Sequence, residues 1–468
     1  MNIYVDHFFL SYCVALALAT AVLILFAIRE IRTWRNMAMV GLDGDVLLEE
    51  SSPPIGVIVP AHNEEVHIAG TVAGFLELKY PDHEVIVVND GSSDATLERL
   101  IEAYDLVPAQ RYISDRLSCH SRRGLYRSQR DPRLWVIDKE NGGKADALNA
   151  GINATRCPLV CCVDADTILS PDALLRMVDP FLYNPEGVVA VGGTLRVGNG
   201  GHRIDDGKVH VGVPDSWLAR FQVVEYLNAF LFGRMGFNKM GGNVIISGAA
   251  GLFLRSAIVD ADGFYCDTIG EDIEIIVRLH RREYETGRRR QIVHLPDPIA
   301  FTETPEDLGS LARQRDRWHR GLIDTLLKHR RMIFNPRYGQ VGMGVMPWYI
   351  MFKFLAPIVE IGGYLWFGWA VISGFISWWV ALALLGAIFS WGLLISLMSL
   401  YVDHKTFDIY SSARGRLKLV LIALLMNLGY RQFTVFCRIQ GLVRYLMGVK
   451  SWGMVQRQGF ENQKEVSQ

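Results

Sequence analysis

Four short apolar runs, each ending in a polar cluster, constrain this chain more than any other feature. They read IGVIVP (55–60), EVIVVND (84–90), RLWVID (133–138) and PLVCCVDAD (158–166). Helical periodicity fills the gaps, over Glu64–Leu78, Thr96–Tyr104 and Lys144–Ala154. Strands alternating with helices require a parallel sheet covered on both faces, a doubly wound α/β layout. Such a sheet binds ligands beyond the carboxyl ends of its strands. The polar residues fall there: AHNEE (61–65), Asn89–Asp90, KENGGK (139–144), and Asp164 with Asp166. Any one cluster is what a turn requires; four in register predict one crevice. Gln110–Arg133 breaks the rhythm with basic, apolar-poor sequence and reads as a surface insertion. Beyond Asp166 come a glycine-rich segment (192–212), an amphipathic helix around Trp217–Phe232 and ISGAAGLFLR (246–255).

Half of the 468 residues are apolar, and the excess is localised. His7–Ile28 carries no charge and is long enough to cross the ~30 Å hydrocarbon layer. Ala15, Ala17 and Ala19 mimic a signal-peptidase pattern, but they lie inside the run and no basic region precedes them, which favours an anchor. Arg29, Arg32 and Arg35 follow, so the positive-inside rule puts the next segment in the cytoplasm. Trp378–Leu400 is a second uncharged run of spanning length. Phe354–Ile376 is nearly as apolar but holds Pro357 and Glu360, a carboxylate expected to face other helices or a polar cavity. Leu417–Tyr430, followed by Arg431, Arg438 and Arg444, reads as a tilted span or an interfacial helix. The division expected is an anchor and linker (1–50), a cytoplasmic domain (51–335), and interfacial and transmembrane helices with a short tail (336–468). A net charge of −1 argues against a nucleic-acid partner, and seven cysteines without CxxC spacing support neither a disulfide framework nor a zinc site.

Asp164-Ala165-Asp166 at a strand end projects two carboxylates to one side. With water and phosphate oxygens they suit Mg²⁺ or Mn²⁺; the plainer reading is a turn before the helix start at Ser170-Pro171-Asp172. Asp90 could accept a hydrogen bond from a base N–H or close an Asx turn on Gly91. Lys144 follows Asn141-Gly142-Gly143 at a helix start, where anions are favoured. No Walker spacing occurs, and no GxGxxG follows the first strand, which argues against a dinucleotide cofactor. Glu271-Asp272 precedes the helical IEIIVRLHRR; the pair reads as helix-capping acids or as a site where Asp272 takes a proton. Thr304-Pro305-Glu306-Asp307 starts a further helix. On it Gln314, Arg317 and Trp318 lie at i, i+3 and i+4, one face. Arg317 offers a planar fork to a departing diphosphate, and Trp318 a flat surface for a sugar ring.

Taken together, Asp90, Asp164/Asp166, Glu271-Asp272 and Gln314-Arg-Asp-Arg317-Trp318 resemble the motifs of the membrane-integrated, inverting family 2 glycosyltransferases. That family has the GT-A fold and includes cellulose, chitin, hyaluronan and poly-N-acetylglucosamine synthases. The resemblance implies that Asp90 contacts the nucleotide base with Glu64 and Lys144 nearby. It implies that Asp164 approaches the donor's ribose and diphosphate, that Asp166 ligates Mg²⁺ or Mn²⁺ with Asp164 beside it, and that Asp272 is the base next to Glu271. Gln314, Arg317 and Trp318 would line the acceptor site and hold the diphosphate, with Ser247-Gly248 as a loop near the acceptor. It further implies a multi-pass protein of the inner (plasma) membrane, a UDP-linked donor carrying N-acetylglucosamine or glucose, and a growing glycan exported through the membrane helices. A single transfer onto a lipid acceptor and a non-catalytic glycan- or nucleotide-binding scaffold are the alternatives, and an accessory membrane subunit is left open. Two features depart from the pattern: one apolar segment precedes the domain where several members have two, and the Gln110–Arg133 insertion is not placed by the resemblance.

Overall fold

The structure is a computed structural model that describes residues 3–39, 52–205, 208–410 and 412–449. The expected linker after residue 39 and the C-terminal tail from 450 lie outside the described residues. The chain forms two compact units. Among the described residues, the first lies within 33–212 and 241–304, and the second comprises 3–32, 213–240, 305–410 and 412–449.

The first unit is built on a mixed ten-stranded sheet. Its strands are β1 (Ile55–Ala61), β2 (His83–Asp90), β3 (Leu106–Pro108), β4 (Arg122–Ser128), β5 (Leu134–Lys139), β6 (Leu159–Val163), β7 (Ile168–Leu169), β8 (Val188–Val197), β11 (Ala250–Leu254) and β12 (Gln291–Thr302). A separate hairpin pairs β9 (His202–Asp205) with β10 (Lys208–Val211). The sheet order is β3-β4-β5-β2-β1-β6-β11-β8-β12-β7. The four strands expected from sequence, β5-β2-β1-β6, run parallel, with Val57 opposite both Val85 and Cys161 and Val87 opposite Val136. Their carboxyl ends therefore lie along one edge. β11 runs antiparallel to β6 with Ala250 opposite Val163, which brings the residues just before β11 alongside the carboxyl end of β6.

The core explains these choices. Ile58, Ile86, Val88, Ile137, Leu148 and Ile152 share one buried cluster, each such side chain contributing about 1.5–3 kcal/mol when fully buried. The helix Lys144–Ala154 is buried from its second residue to its last, which its small residues permit. A Cβ on Gly151 would sit 2.3 Å from Ile58 Cγ2, so only glycine allows this helix so close to β1.

In the first unit, one helix start and one reading of a segment differ from expectation. The helix expected over Glu64–Leu78 covers Ile68–Leu76 instead, because the amides of Glu64 and Glu65 donate outward, to Thr96 Oγ1 (2.8 Å) and Asp94 Oδ2 (3.1 Å). The segment read as a surface insertion contributes β4, which pairs antiparallel with β5 (Leu125 opposite Ile137). The guanidinium groups of Arg111 and Arg127 lie over the Trp135 ring at 5.0 and 5.2 Å.

The second unit is helical. Tyr4–Asn36 and Trp378–Thr406 are long and apolar enough to cross a membrane. Two bent pairs qualify only when each is taken together: Val341–Phe354 with Ala356–Ile372, and Ala413–Leu425 with Tyr430–Leu446. Gly429 takes φ +88° at the 62° bend of the second pair. Glu360, expected to face other helices, is held by Arg431 Nη2 at 2.8 Å and Nε at 3.2 Å. Ile24, Ala27 and Ile31 of the first helix pack against Phe232 and Met235. The Trp217–Phe232 pattern forms an α-helix over Trp217–Leu227 that widens into a π-helix over Asn228–Arg234. The helix expected from Thr304 begins at Leu308 instead, with Asp307 as its cap accepting from Ser310 N at 2.8 Å. Thr304 is committed elsewhere, its amide and hydroxyl both donating to Asn199 Oδ1.

Candidate active site

The site is assembled at the carboxyl edge of the parallel strands. The loops after β1 and β2 cap one another: Asn63 Oδ1 accepts from Ser93 N at 2.8 Å, and Glu65 Oε2 accepts from Ala95 N at 3.0 Å. Glu64 stands in this double loop, one residue past Asn63, whose φ is +58°. His62 Nδ1 lies 2.9 Å from the Asp90 carbonyl oxygen, which ties the loop to the end of β2.

Asp90 is buried and its carboxylate is occupied by the next loop. Oδ1 accepts from Lys139 Nζ (2.6 Å) and Gly142 N (3.0 Å), and Oδ2 accepts from Gly143 N (2.7 Å). The side chain thus reaches across to 142–143 instead of turning back on Gly91. Gly91 has φ +62°, and a Cβ there would lie 2.7 Å from Asn141 N, so this crossing requires glycine. Lys139, fully buried, is also paired with Asp146 Oδ1 at 2.5 Å. Burial disfavours its ammonium, but Asp146 and Asp90 more than offset this and hold it charged. Asp90 therefore anchors the loop that delivers Lys144 to its helix start.

Lys144 is the centre of the cleft. Its Nζ pairs with Asp164 Oδ1, lies 3.5 Å from Glu271 Oε1 and donates to the Gly248 carbonyl at 3.4 Å. Burial pulls its pKa down, and Asp164, Glu271 and Asp272 push it above the ordinary lysine range, so the ammonium persists. Glu271, the first residue of the helix Glu271–Glu285, is 7 % exposed. Burial raises its pKa; Lys144 opposes that rise and the neighbouring Asp272 adds to it. Asp272 is half-buried, its Oδ1 accepting from Ile273 N at 2.8 Å. Lys144, Ser247, Gly248, Glu271 and Asp272 line one cleft above an apolar floor that includes Phe253 and Phe264. A Cβ on Gly248 would stand 2.8 Å from Lys144 Nζ and 3.6 Å from Asp272 Cβ, so the glycine lets the loop lie this close.

Asp166 is buried two residues beyond Asp164, in a turn closed by Thr167 N donating to the Asp164 carbonyl at 3.1 Å. The two carboxylates are the hard oxygen donors that Mg²⁺ or Mn²⁺ takes. No group of three or more His, Cys, Asp or Glu side chains able to hold a metal occurs among the described residues. Two carboxylates make only a partial shell, of the kind a divalent ion completes with phosphate and water oxygens.

The structure thus brings Lys144, Asp164, Ser247, Gly248, Glu271 and Asp272 together, with Asp166 in the adjoining turn and Asp90 and Glu64 one loop away. Gln314, Arg317 and Trp318 belong to the second unit, on the helix Leu308–Lys328. There Trp318 is 44 % exposed, with the Arg315 guanidinium 4.4 Å over its ring. Sequence reasoning missed Lys139 and Asp146 in the first unit. In the second it missed Arg315, whose Nη2 meets Glu225 Oε2 at 2.8 Å and the Tyr430 hydroxyl at 3.3 Å.

This fold and site define a glycosyltransferase of the GT-A type. The family model described as glycosyl transferase family group 2 matches residues 159–402, and that of glycosyl transferase family 2 matches residues 56–260. The chain belongs to glycosyltransferase family 2. It is 30% identical over 275 residues to a poly-beta-1,6-N-acetyl-D-glucosamine synthase of Staphylococcus epidermidis, covering 58% of this chain and 56% of that one. The synthase of the same name from Staphylococcus aureus (strain COL) is 31% identical over 274 residues, with the same coverage. The chain therefore spans about half the length of the curated relatives it matches. Among solved structures, the mannosyltransferase PcManGT from Pyrobaculum calidifontis, in complex with GDP-Man and Mn²⁺, has the same fold. It superposes with a TM-score of 0.52 at 17% identity, covering 92% of this chain and 99% of that one.

Proposed function

We propose that the protein is a membrane-bound, inverting hexosyltransferase that moves N-acetylglucosamine from its UDP derivative to a hydroxyl of a growing polysaccharide. The observation that carries this reading is the Lys144–Asp164–Glu271–Asp272–Gly248 cleft, where one partly buried ammonium and one half-buried carboxylate face each other across a glycine. In this reading the acceptor oxygen attacks the anomeric carbon opposite the diphosphate, the bond from carbon to phosphate oxygen breaks, and Asp272 takes the hydroxyl proton as the new bond forms. Lys144 stabilises charge on the diphosphate through an electrostatic arrangement already in place, and Arg317 is assigned the same task by its motif. Mg²⁺ or Mn²⁺ at Asp166 and Asp164 would supply further neutralisation of the diphosphate when bound. Gln314 and Trp318 are assigned to the acceptor, Ser247 and Gly248 to its approach, and Asp90 and Glu64 to the base side. The names of the staphylococcal relatives support the sugar and the polymer; the Mn²⁺ in the mannosyltransferase complex supports the metal.

The helix Ile3–Met39 would anchor the protein in the inner membrane, with Arg29, Arg32 and Arg35 on the cytoplasmic side. The domain 51–335 would stand in the cytoplasm, and the helices beyond it would carry the glycan across. The test is the full chain in detergent with a panel of UDP-sugars and Mg²⁺ or Mn²⁺, scoring released UDP and product length. UDP release from UDP-N-acetylglucosamine with a product ladder is expected; a single adduct on lipid would replace polymer synthesis with glycolipid synthesis. Asp272→Asn should lower transfer by about 10²–10⁴-fold with nucleotide binding retained, and full activity in that variant would refute the base assignment.

A further inference from the structure

In the second unit, Lys353 lies on the short π-helix Ile350–Phe354 and Arg438 on the helix Tyr430–Leu446. Among the described residues neither side chain makes a hydrogen bond or an ion pair. Lys353 overlies the Trp348 ring, its Nζ 5.4 Å from the centroid. The charged groups that act on it are Arg438, Glu225, Arg234 and Glu360. Both carboxylates are already held, Glu225 by Arg315 and Glu360 by Arg431, each at 2.8 Å. The carboxylates near Arg438 are the same two. Two cations are therefore left over in a unit that contains membrane-spanning helices, where an unneutralised charge is costly and marks a functional position. A π-helical turn is itself most often found at such positions.

His319, on the helix Leu308–Lys328, joins the two. Its ring stacks on that of Phe354, the neighbour of Lys353, with centroids 6.2 Å apart. A Cβ on Gly441 would stand 3.4 Å from His319 Cβ, and Arg438 precedes Gly441 by three residues, on the same helix face. His319 is 4 % exposed, and its Nε2 has no hydrogen-bond partner among the described residues; nor has the buried indole nitrogen of Trp348. Burial and the nearby Arg438 push the imidazole pKa down to about 4, so the ring is neutral. The set runs from exposed Lys353 through half-buried Arg438 to buried His319. Buried polar atoms without a protein partner call for one from outside the chain. A sugar hydroxyl would serve the nitrogens and leave both charges standing. A carboxylate presents its two oxygens in one plane, whereas a phosphate group offers acceptors in several directions to donors on three separate elements and carries the charge. We propose that His319, Lys353 and Arg438 form a site for a phosphate group, either that of an anionic lipid headgroup or free phosphate.

The proposal rests on the second unit being membrane-embedded and is independent of the sugar-transfer chemistry, because its readout is bound ligand. The full chain in a neutral detergent is titrated with phosphatidylglycerol, phosphatidylcholine or inorganic phosphate. Retained lipid is counted by native mass spectrometry, and phosphate by equilibrium dialysis. One phosphatidylglycerol held in preference to phosphatidylcholine, and kept in excess phosphate, assigns the site to a headgroup; saturable phosphate binding that releases the lipid assigns it to the free ion. Lys353→Gln and Arg438→Gln should each weaken binding about fivefold, the effect of one basic residue at a lipid surface. His319→Phe, which keeps the stacked ring and removes no charge, should weaken it as well, an effect that surface charge alone does not produce. Arg123→Gln, which removes an exposed cation from the first unit, should not. The three variants lie on different elements, so loss of folding in one leaves the others decisive. Equal retention of the two lipids without saturable phosphate binding, or binding in the folded variants equal to that of Arg123→Gln, would overturn the proposal.

Discussion

Lys139→Met is the most searching perturbation of the candidate site, because Lys139 touches no surface yet governs the loop before Lys144. Its ammonium lies 2.6 Å from Asp90 and 2.5 Å from Asp146, and all three side chains are buried. Methionine matches its length but leaves two carboxylates facing each other. Removing one partner of a buried ion pair costs about 3–5 kcal/mol, offset by about 1 kcal/mol for the apolar surface that methionine buries. The surviving backbone donors keep the loss from growing: Gly142 and Gly143 still serve Asp90, and His120 N still serves Asp146 at 3.0 Å. A net loss of about 2–4 kcal/mol in a domain of this size lowers the melting temperature by roughly 4–16 °C. The assay is tryptophan-monitored thermal unfolding of the full chain in detergent, with Asp90→Asn and the double variant closing a cycle. The second substitution should hurt less in the presence of the first, giving a coupling of about 0.5–3 kcal/mol. UDP affinity should fall together with stability, since the 142–143 loop loses its tether. A Lys139→Met protein that melts within 2 °C of the parent and binds UDP equally well would refute the reasoning.

Glu271→Gln tests the raised carboxyl. Because burial holds the folded pKa above the ordinary value, the folded state keeps its proton longer than the unfolded chain. Stability from this group is therefore full below the ordinary glutamate pKa and declines as pH rises through the raised one. Protonation also discharges the partner of Lys144, so the acid limb of kcat/KM should lie above the usual carboxylate range and vanish in Glu271→Gln, as a pH–rate profile would reveal. Gly248→Ala should reduce transfer by at least tenfold with little change in melting temperature, because its Cβ would crowd Lys144 Nζ at 2.8 Å; steady-state kinetics beside a melting curve separates the two effects. Glu225→Gln leaves Arg315 without its carboxylate in a buried setting and should cost about 3–5 kcal/mol, read as early denaturation of the second unit; Glu225→Asp should recover part of it.

The parallel half of the sheet was legible because its strands are short, β-branched and bounded by turn residues. The helices Thr96–Tyr104 and Lys144–Ala154 begin and end where their periodicity says. The other half was not. β8 and β12 carry Gly192, Gly193, Pro296 and Pro298, residues that read as breakers. They are accommodated by register shifts at Leu295 and Pro298, which depend on the partner strand. β4 escaped notice because an arginine-rich strand shows no apolar alternation; its pairing with β3 on one side and β5 on the other is set by the tertiary fold. Within the site, the acidic residues were visible as motifs, whereas Lys139 was only one polar residue of the KENGGK cluster. Only the tertiary fold shows that Asp90, 49 residues away, is its partner.

The five-residue motif on the helix Leu308–Lys328 shows why motif reading captures some residues and not others. Residues at i, i+3 and i+4 share a helix face, which groups Gln314, Arg317 and Trp318 and turns Arg315 and Asp316 elsewhere. Those two are buried and committed to the protein itself. Arg315 joins Glu225 and Tyr430, while Asp316 Oδ2 pairs with Arg320 at 2.7 Å and its backbone lies against Gly441, where a Cβ would stand 2.9 Å from the Asp316 carbonyl. The motif therefore divides its labour. Its intervening positions dock the helix onto Tyr430–Leu446 and Trp217–Leu227, and through the Arg315 guanidinium they brace the Trp318 ring. The positions assigned to the sugar and diphosphate are presented by a helix that cannot roll without breaking a buried ion pair. Orientation of Trp318 is thus braced by the buried residues that dock the helix, and substitutions at Glu225 or Tyr430 reach its ring through Arg315.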